Sequence, residues 1–342
     1  MRAWGGEGGG KVRRGGPAGA GGGMAAGAPR AGAAGVEVGG GEVAGAPAGG
    51  AEGVAYQGGA ARMAAWARGG EVGVFRRDAG RAGGWAREGG FLVQGGVADC
   101  AWAPREAGTV LATAGPGGEL SFWGPSGADG EWASVAPPLE VAPCGGGSLR
   151  CVRFAPASQG LAAAVAGEDG CIAVCRADGF RADATWRVEG RFQAMPGSAA
   201  VSLAWRPYGG EGVPPMLLVG TTKGAAVWMF DAVLGKWTAA GSVPLTAEAC
   251  VEDVDWAPAV GRACETVAIA VSNWALILRV AGDPGALNIE KCAEFEHPAA
   301  VHQVEWNLSG TTLASTAGDG VARLWKENAL GEWGEVAHVI GQ

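Results

Sequence analysis

The stretch 301–333, VHQVEWNLSGTTLASTAGDGVARLWKENALGEW, decides the fold. Its opening residues run as a short strand into an aromatic, Trp306. The apolar run TTLASTA then meets VARLW across Asp319-Gly320, a pair that tolerates the positive φ of a tight hairpin turn. Trp333 follows eight residues after Trp325 and marks one more strand. The stretch therefore predicts four short strands, joined by hairpins, in one repeat.

The same order of markers recurs upstream. The first-strand aromatic is Tyr56 in GVAYQ, Trp102 in VADCAWAP, Phe154 in LRCVRFAP, Trp205 in VSLAWRP, Trp256 in VEDVDWAP and Trp306 in VHQVEWN, at spacings of 46, 52, 51, 51 and 50 residues. Pro104, Pro156, Pro207 and Pro258 each follow two residues later and stop the strand, because proline offers no N–H to a ladder. Hairpins of the form GLAAAVAGEDGCIAVC and PMLLVGTTKGAAVWMF come next, and then a Trp: Trp85, Trp132, Trp186, Trp237 and Trp333. The fifth copy lacks that Trp and offers KCAEF in its place. Six copies of a four-stranded unit with periodic aromatics predict an all-β, WD-repeat β-propeller of six four-stranded blades over residues 51–342. A sandwich predicts no such super-period. A blade has two apolar faces and buries both only by stacking on neighbours, so Tyr56, Trp102, Phe154, Trp205, Trp256 and Trp306 are expected as blade core aromatics.

Composition separates a leader from this array. Residues 1–50 hold 20 Gly and 12 Ala with no apolar period, which predicts a low-complexity, disordered segment. The leader contains Gly5-Gly6-Glu7-Gly8-Gly9-Gly10-Lys11, which resembles a phosphate-binding loop, but Val12 stands where the metal-binding hydroxyl belongs. The whole chain has 26 basic and 34 acidic residues, net −8, which disfavours direct nucleic-acid binding. No apolar stretch reaches the length of a membrane span. The eight Cys include no C-x-x-C pair, so free thiols are expected rather than a zinc site.

Little in the chain suggests catalysis. His297, His302 and His338 are the three histidines, and none sits in a nucleophile motif. No cofactor, metal or small-molecule substrate is expected, and the carboxylates read as solvated. One polar constellation stands out: His297 before the last blade, Ser315 in its second strand, Asp319 in its turn and Trp325 in its third strand. These residue types predict a structural hydrogen-bonded chain from Asp to His to hydroxyl to indole.

The last-blade segment resembles the SEH-type nucleoporins, relatives of the Sec-type vesicle-coat propeller, and the W-N-x-S-G-T-x-L-A-S pattern at 306–315 carries that resemblance. SLRCVRFAPASQGLAAAVAGEDGCIAV and VEDVDWAPAVGRACETVAIAV extend it over about residues 97–335, with a weaker first blade. The resemblance implies an open ring whose gap, between blade one (about 54–77) and blade six (about 301–335), receives a blade from a helical partner nucleoporin. It further implies other Y-complex subunits as partners, residence at the nuclear envelope in the nuclear pore complex, and a second role in a nutrient-signalling coat at the lysosome or vacuole. A coat propeller of the secretory pathway and a general WD-repeat adaptor are the alternatives. The adaptor would favour W-D-x-R strand ends, which Trp123-Gly124 and Trp325-Lys326 do not supply.

Overall fold

The computed structural model describes residues 47–340 apart from 48–49, 59–60, 79–83, 128–130, 142–146, 182, 208–212, 246–248, 259–263 and 284–285. The leader and its Gly5–Lys11 loop lie outside the described residues, save Pro47 and Gly50. The rest forms six four-stranded antiparallel sheets, each with its strands in chain order. Blade one is β1 Gly53–Tyr56, β2 Arg62–Trp66, β3 Glu71–Arg77 and β4 Trp85–Leu92. Blade two is β5 Asp99–Trp102, β6 Leu111–Ala114, β7 Glu119–Ser126 and β8 Glu131–Glu140. Blade three is β9 Leu149–Phe154, β10 Ala162–Gly167, β11 Cys171–Ala177 and β12 Trp186–Gln193. Blade four is β13 Ala200–Trp205, β14 Met216–Thr221, β15 Gly224–Asp231 and β16 Lys236–Ser242. Blade five is β17 Val251–Trp256, β18 Glu265–Val271, β19 Trp274–Asp283 and β20 Ala286–Glu296. Blade six is β21 Val301–Trp306, β22 Thr312–Ala317, β23 Val321–Glu327 and β24 Trp333–Ile340.

The first strands stand side by side in order, β1 by β5, then β9, β13, β17 and β21, so they ring a central axis. Position in the blade explains each strand's composition. The second strands AAAVAG (β10) and MLLVGT (β14) are buried at every residue, and such continuous apolar runs suit a strand covered on both faces. The outermost strand β24 is exposed at every residue but Trp333. The hairpins between second and third strands need left-handed residues. Gly170 has φ +77°, and a Cβ there would come within 2.1 Å of the Ser198 carbonyl oxygen. Ser272 takes the equivalent strain in blade five, at φ +53°.

Aromatic rings fill the widening space between blades. The first-strand aromatic meets the fourth-strand Trp of its own blade in Trp102–Trp132 (5.8 Å), Phe154–Trp186 (6.1 Å), Trp205–Trp237 (5.8 Å) and Trp306–Trp333 (5.7 Å), all edge-on. A second set of rings packs across seams: Phe91 stacks on Trp123 at 4.2 Å and Phe295 on Trp325 at 3.9 Å, while Phe192 lies tilted against Trp228 at 4.5 Å. Phe295 is therefore no substitute for the missing fifth-blade Trp. It lies near the end of β20, paired with Ala275, whereas Leu287 and Ile289 occupy the opening of that strand. Trp256 consequently packs without an aromatic partner of its own blade and is held by the aliphatic core of blades four and five.

Five buried clusters join consecutive blades, from the seam of blades one and two to that of blades five and six. The remaining cluster, Ala51, Met63, Ala65 and Phe75 with Val54 and Trp85, belongs to blade one and the residues just before it. No buried cluster among the described residues joins blade six to blade one, so the ring is open there. This accounts for Tyr56. A first-strand aromatic faces the preceding blade, as Trp102 does when its indole donates to the Ala55 carbonyl at 3.0 Å. Blade one has no preceding blade among the described residues, and Tyr56 is 43% exposed with Trp85 against its ring, 5.9 Å away. The expectation of Tyr56 as core is corrected on this point. Of the other five aromatics, Trp102, Trp205, Trp256 and Trp306 are buried and Phe154 is half-buried.

Cys171 departs from the all-thiol expectation, being disulfide-bonded. Cys100 and Cys175 are buried free thiols, and burial pushes Cys175 up to about 12, which makes it a poor nucleophile.

Phe295→Ala should destabilise the protein by about 3–5 kcal/mol, since it empties a buried site and unstacks Trp325. The shift of the midpoint in equilibrium denaturation measures it.

Candidate functional site

The open seam presents two unlike walls. On blade one, Met63, Ala65 and Phe75 are buried beneath Val54, Trp85 and Ala51, so that wall is already sealed at its base. On blade six, the face opposite blade five carries Ala314, Thr316, Ala322 and Leu324, all half-buried, with Ala337 and Val339 exposed beside them. The alternation of β22 sets this division. Leu313, Ser315 and Ala317 point toward blade five and are buried, and the residues between them point into the gap. Among the described residues no blade covers this row.

The polar constellation of blade six lies on the other face and braces it. His297, 2% exposed, and Ser315, fully buried, are joined Nε2 to Oγ at 2.8 Å, and the Trp325 indole donates to the same Oγ at 2.8 Å. The other ring nitrogen, Nδ1, lies 3.1 Å from the Phe295 carbonyl, which can only accept. Nδ1 therefore carries the proton and Nε2 accepts from Ser315. Burial lowers the pKa of His297, which favours this neutral form. Asp319 does not join the chain. Arg323 claims its Oδ2 at 2.7 Å, its Oδ1 accepts from the Val321 N–H at 3.1 Å, and His297 has no ring nitrogen left to offer it. The expected link from Asp319 to His297 is corrected accordingly. A Ser beside a His invites comparison with a catalytic dyad, but this hydroxyl is sealed from solvent and already engaged by an indole, so it can reach no substrate.

A second polar set, read from the sequence as solvated carboxylates, lines the inner seams instead. Asp99 is buried, pairs with Arg153 at 2.5 Å and accepts the Val152 N–H at 3.0 Å. Asp253 accepts the Ser202 hydroxyl at 2.6 Å and the Val304 N–H at 3.1 Å. Asp255 accepts the Trp306 N–H at 2.7 Å and its neighbour Trp256 N–H at 2.9 Å. Each ties one inner strand to the next. Desolvation, together with the charges of Asp253 and Glu305, pushes Asp255 up to about 7, while the Trp306 and Trp256 N–H bonds pull the other way. The sequence signal was present: the lone acid inside VADCAW and the alternating Asp253 and Asp255 inside VEDVDW sit within strands and cannot be turn residues.

Among the described residues no group of three or more His, Cys, Asp or Glu is placed to hold a metal ion, and no helix is long and apolar enough to cross a membrane.

Ser315→Ala should cost about 1–3 kcal/mol, because it strands a buried imidazole and a buried indole. Asp319→Ala should cost less, since its ion pair with Arg323 is partly exposed. Urea melts of both variants check the order. Asp255 has a folded pKa above its ordinary value, so its contribution is complete below about pH 4 and is lost as pH rises through about 7. The melting temperature of Asp255→Asn relative to the parent should therefore climb between pH 5 and pH 8.

No family model matches the chain. Protein SEH1 of Arabidopsis thaliana is 28% identical over 272 residues, which cover 72% of this chain and 82% of that protein. Nucleoporin SEH1 of Homo sapiens is 27% identical over 202 residues, 54% of this chain and 55% of that protein, so the chain spans about half the length of the vertebrate relatives it matches. A solved protein from Lactobacillus plantarum superimposes with a TM-score of 0.64 over 84% of each chain at 13% identity, which speaks to the fold alone. The resemblance carried by the blade motifs holds over the long alignment to the plant protein. The chain is a six-bladed propeller related to the SEH1 nucleoporins.

Proposed function

We propose that this chain is a scaffold subunit of the nuclear pore's outer-ring Y complex, and that a helical partner nucleoporin fills its open seam with a donated blade. The observation that carries the proposal is the uncovered wall of blade six, where Ala314, Ala322 and Leu324 stand without a neighbouring blade. A strand-donating partner answers both needs of such a wall. It covers apolar side chains, and it supplies main-chain hydrogen bonds to an open edge. The name nucleoporin borne by the vertebrate relatives supports the pore as the setting. The buried, fully engaged Ser315–His297 pair supports a scaffold rather than an enzyme.

Affinity purification of the tagged chain, followed by mass spectrometry, should return nucleoporins. Recovery of vesicle-coat cage proteins with no nucleoporin would replace this function with that of the sister coat propeller. Ala322→Arg and Leu324→Glu face the gap and are half-exposed, so each should leave the melting temperature of the isolated chain nearly unchanged. Each should lower partner recovery more than ~10-fold, the loss expected when a charge enters an apolar contact worth about 1.4 kcal/mol or more.

A further inference from the structure

The inner strands of this ring are joined by a repeating side-chain code, and the code is left half-written at the vacancy. Counting back from the first-strand aromatics of blades two, four and five, the side chain at position −3 accepts the main-chain N–H at position −2 of the following blade, whereas Gly53 and Cys151 stand at that position in blades one and three. Asp99 does this for Val152 at 3.0 Å, Ser202 for Val254 at 3.4 Å and Asp253 for Val304 at 3.1 Å. Blade five adds a second bond of the same kind: Asp255, at −1, accepts the N–H of the aromatic itself, Trp306, at 2.7 Å. The physical reason is common to all. An inner strand pairs with its own blade along one edge only, and the N–H groups of its other edge would be left unpaired without such acceptors.

Blade six carries the same two positions. Gln303 stands at −3 and Glu305 at −1, two residues apart and both exposed, as Asp253 and Asp255 stand in blade five. Blade one carries the matching receivers. Val54 and Tyr56 pair with Ala65 and Met63, the register that Val304 and Trp306 hold with Ser315 and Leu313. Their N–H groups therefore point where a preceding blade's acceptors would lie. The two ends flank one opening, for the Glu305 charge, after partial burial, is what raises the Tyr56 phenol.

We propose that Gln303 and Glu305 select the innermost strand of the incoming blade by accepting two of its alternate main-chain N–H groups, and that this strand carries acceptor side chains at alternate positions for Val54 and Tyr56. The proposal rests on the docking function above, and it commits the occupant to a definite chemistry. The occupant's inner strand has carboxylate or hydroxyl side chains two residues apart, as in this chain's own Asp253-Val254-Asp255-Trp256, and no proline at the two donating positions.

The test uses the full chain with a second copy of its own blade five, residues 249–296, appended after residue 342 through a flexible linker. That copy has both the donors and the acceptors the code requires. The appended blade should raise the melting temperature by at least ~4 °C, a shift large for a chain of this size. Gln303→Ala with Glu305→Ala should remove at least half of the rise, and so should Asp253→Ala with Asp255→Ala made in the appended copy alone. The same Gln303 and Glu305 changes in the unextended chain should leave its melting temperature unaltered. An appended blade that gives no rise, or a rise that survives both double changes, overturns the proposal. The outcome is separate from the functional assignment, because no partner protein is present: the code can hold in a chain that recovers no nucleoporin, and can fail in one that does.

Discussion

Everything in this structure follows from one constraint: a propeller blade has two apolar faces and no way to bury either by itself. Its second strand can be apolar at nearly every position, as AAAVAG and MLLVGT show, so both sides must be covered. Five seams meet that demand with shared clusters, and the rings of Phe91, Phe192 and Phe295 reach across seams to pack on Trp123, Trp228 and Trp325. Six blades in an open ring leave two faces over. Blade one manages its own by drawing in Ala51 and closing Trp85 over Met63 and Phe75. Blade six keeps the small residues Ala314 and Ala322 there, which limit the apolar area a missing neighbour leaves bare.

A second constraint acts nearer the axis. Apolar stacking cannot satisfy the free edge of an inner strand, because that edge is a row of main-chain N–H groups. At three seams the chain answers with acceptor side chains on the preceding blade, Asp99, Ser202 and the pair Asp253 and Asp255, and pays in desolvation. Asp255 shows the size of the penalty, held near pH 7 where an ordinary aspartate ionises three units lower. The His297–Ser315–Trp325 chain serves a related purpose in blade six: it fixes the face toward blade five of a blade whose other face has no neighbouring blade among the described residues.

How much of this was legible in the sequence depends on whether a feature is local or belongs to the ring. The six aromatics at near-constant spacing, the Pro after four of them and the Asp-Gly turns are local, and they led directly to six blades of four strands. Tyr56 matched the pattern but not its environment, since an aromatic that faces the preceding blade is core only if such a blade exists. KCAEF matched the environment but not the register: Phe295 stacks across a seam rather than closing its own blade. Asp319 was misplaced for a different reason. Arg323, four residues on across the turn, competes for it, and His297 spends its other nitrogen on the Phe295 carbonyl two residues behind. The inner carboxylates were misread because alternation along a strand announces two faces without saying that one of them meets the edge of another blade.

That last misreading bears on how an open ring stays specific. Apolar walls accept many partners of the right size, and a wall of alanines discriminates weakly by shape. Main-chain donors and side-chain acceptors in fixed register discriminate by position, because a strand shifted by one residue offers carbonyls and side chains where N–H groups are required. The neighbours within this chain already obey that rule: Asp253 and Asp255 meet N–H groups of Val304 and Trp306, two residues apart, and a one-residue shift would satisfy neither. A vacancy bounded by Gln303 and Glu305 on one side and by Val54 and Tyr56 on the other extends the same rule to a separate chain. Adhesion then comes from the walls of the blades, and the choice of what adheres comes from the inner strands.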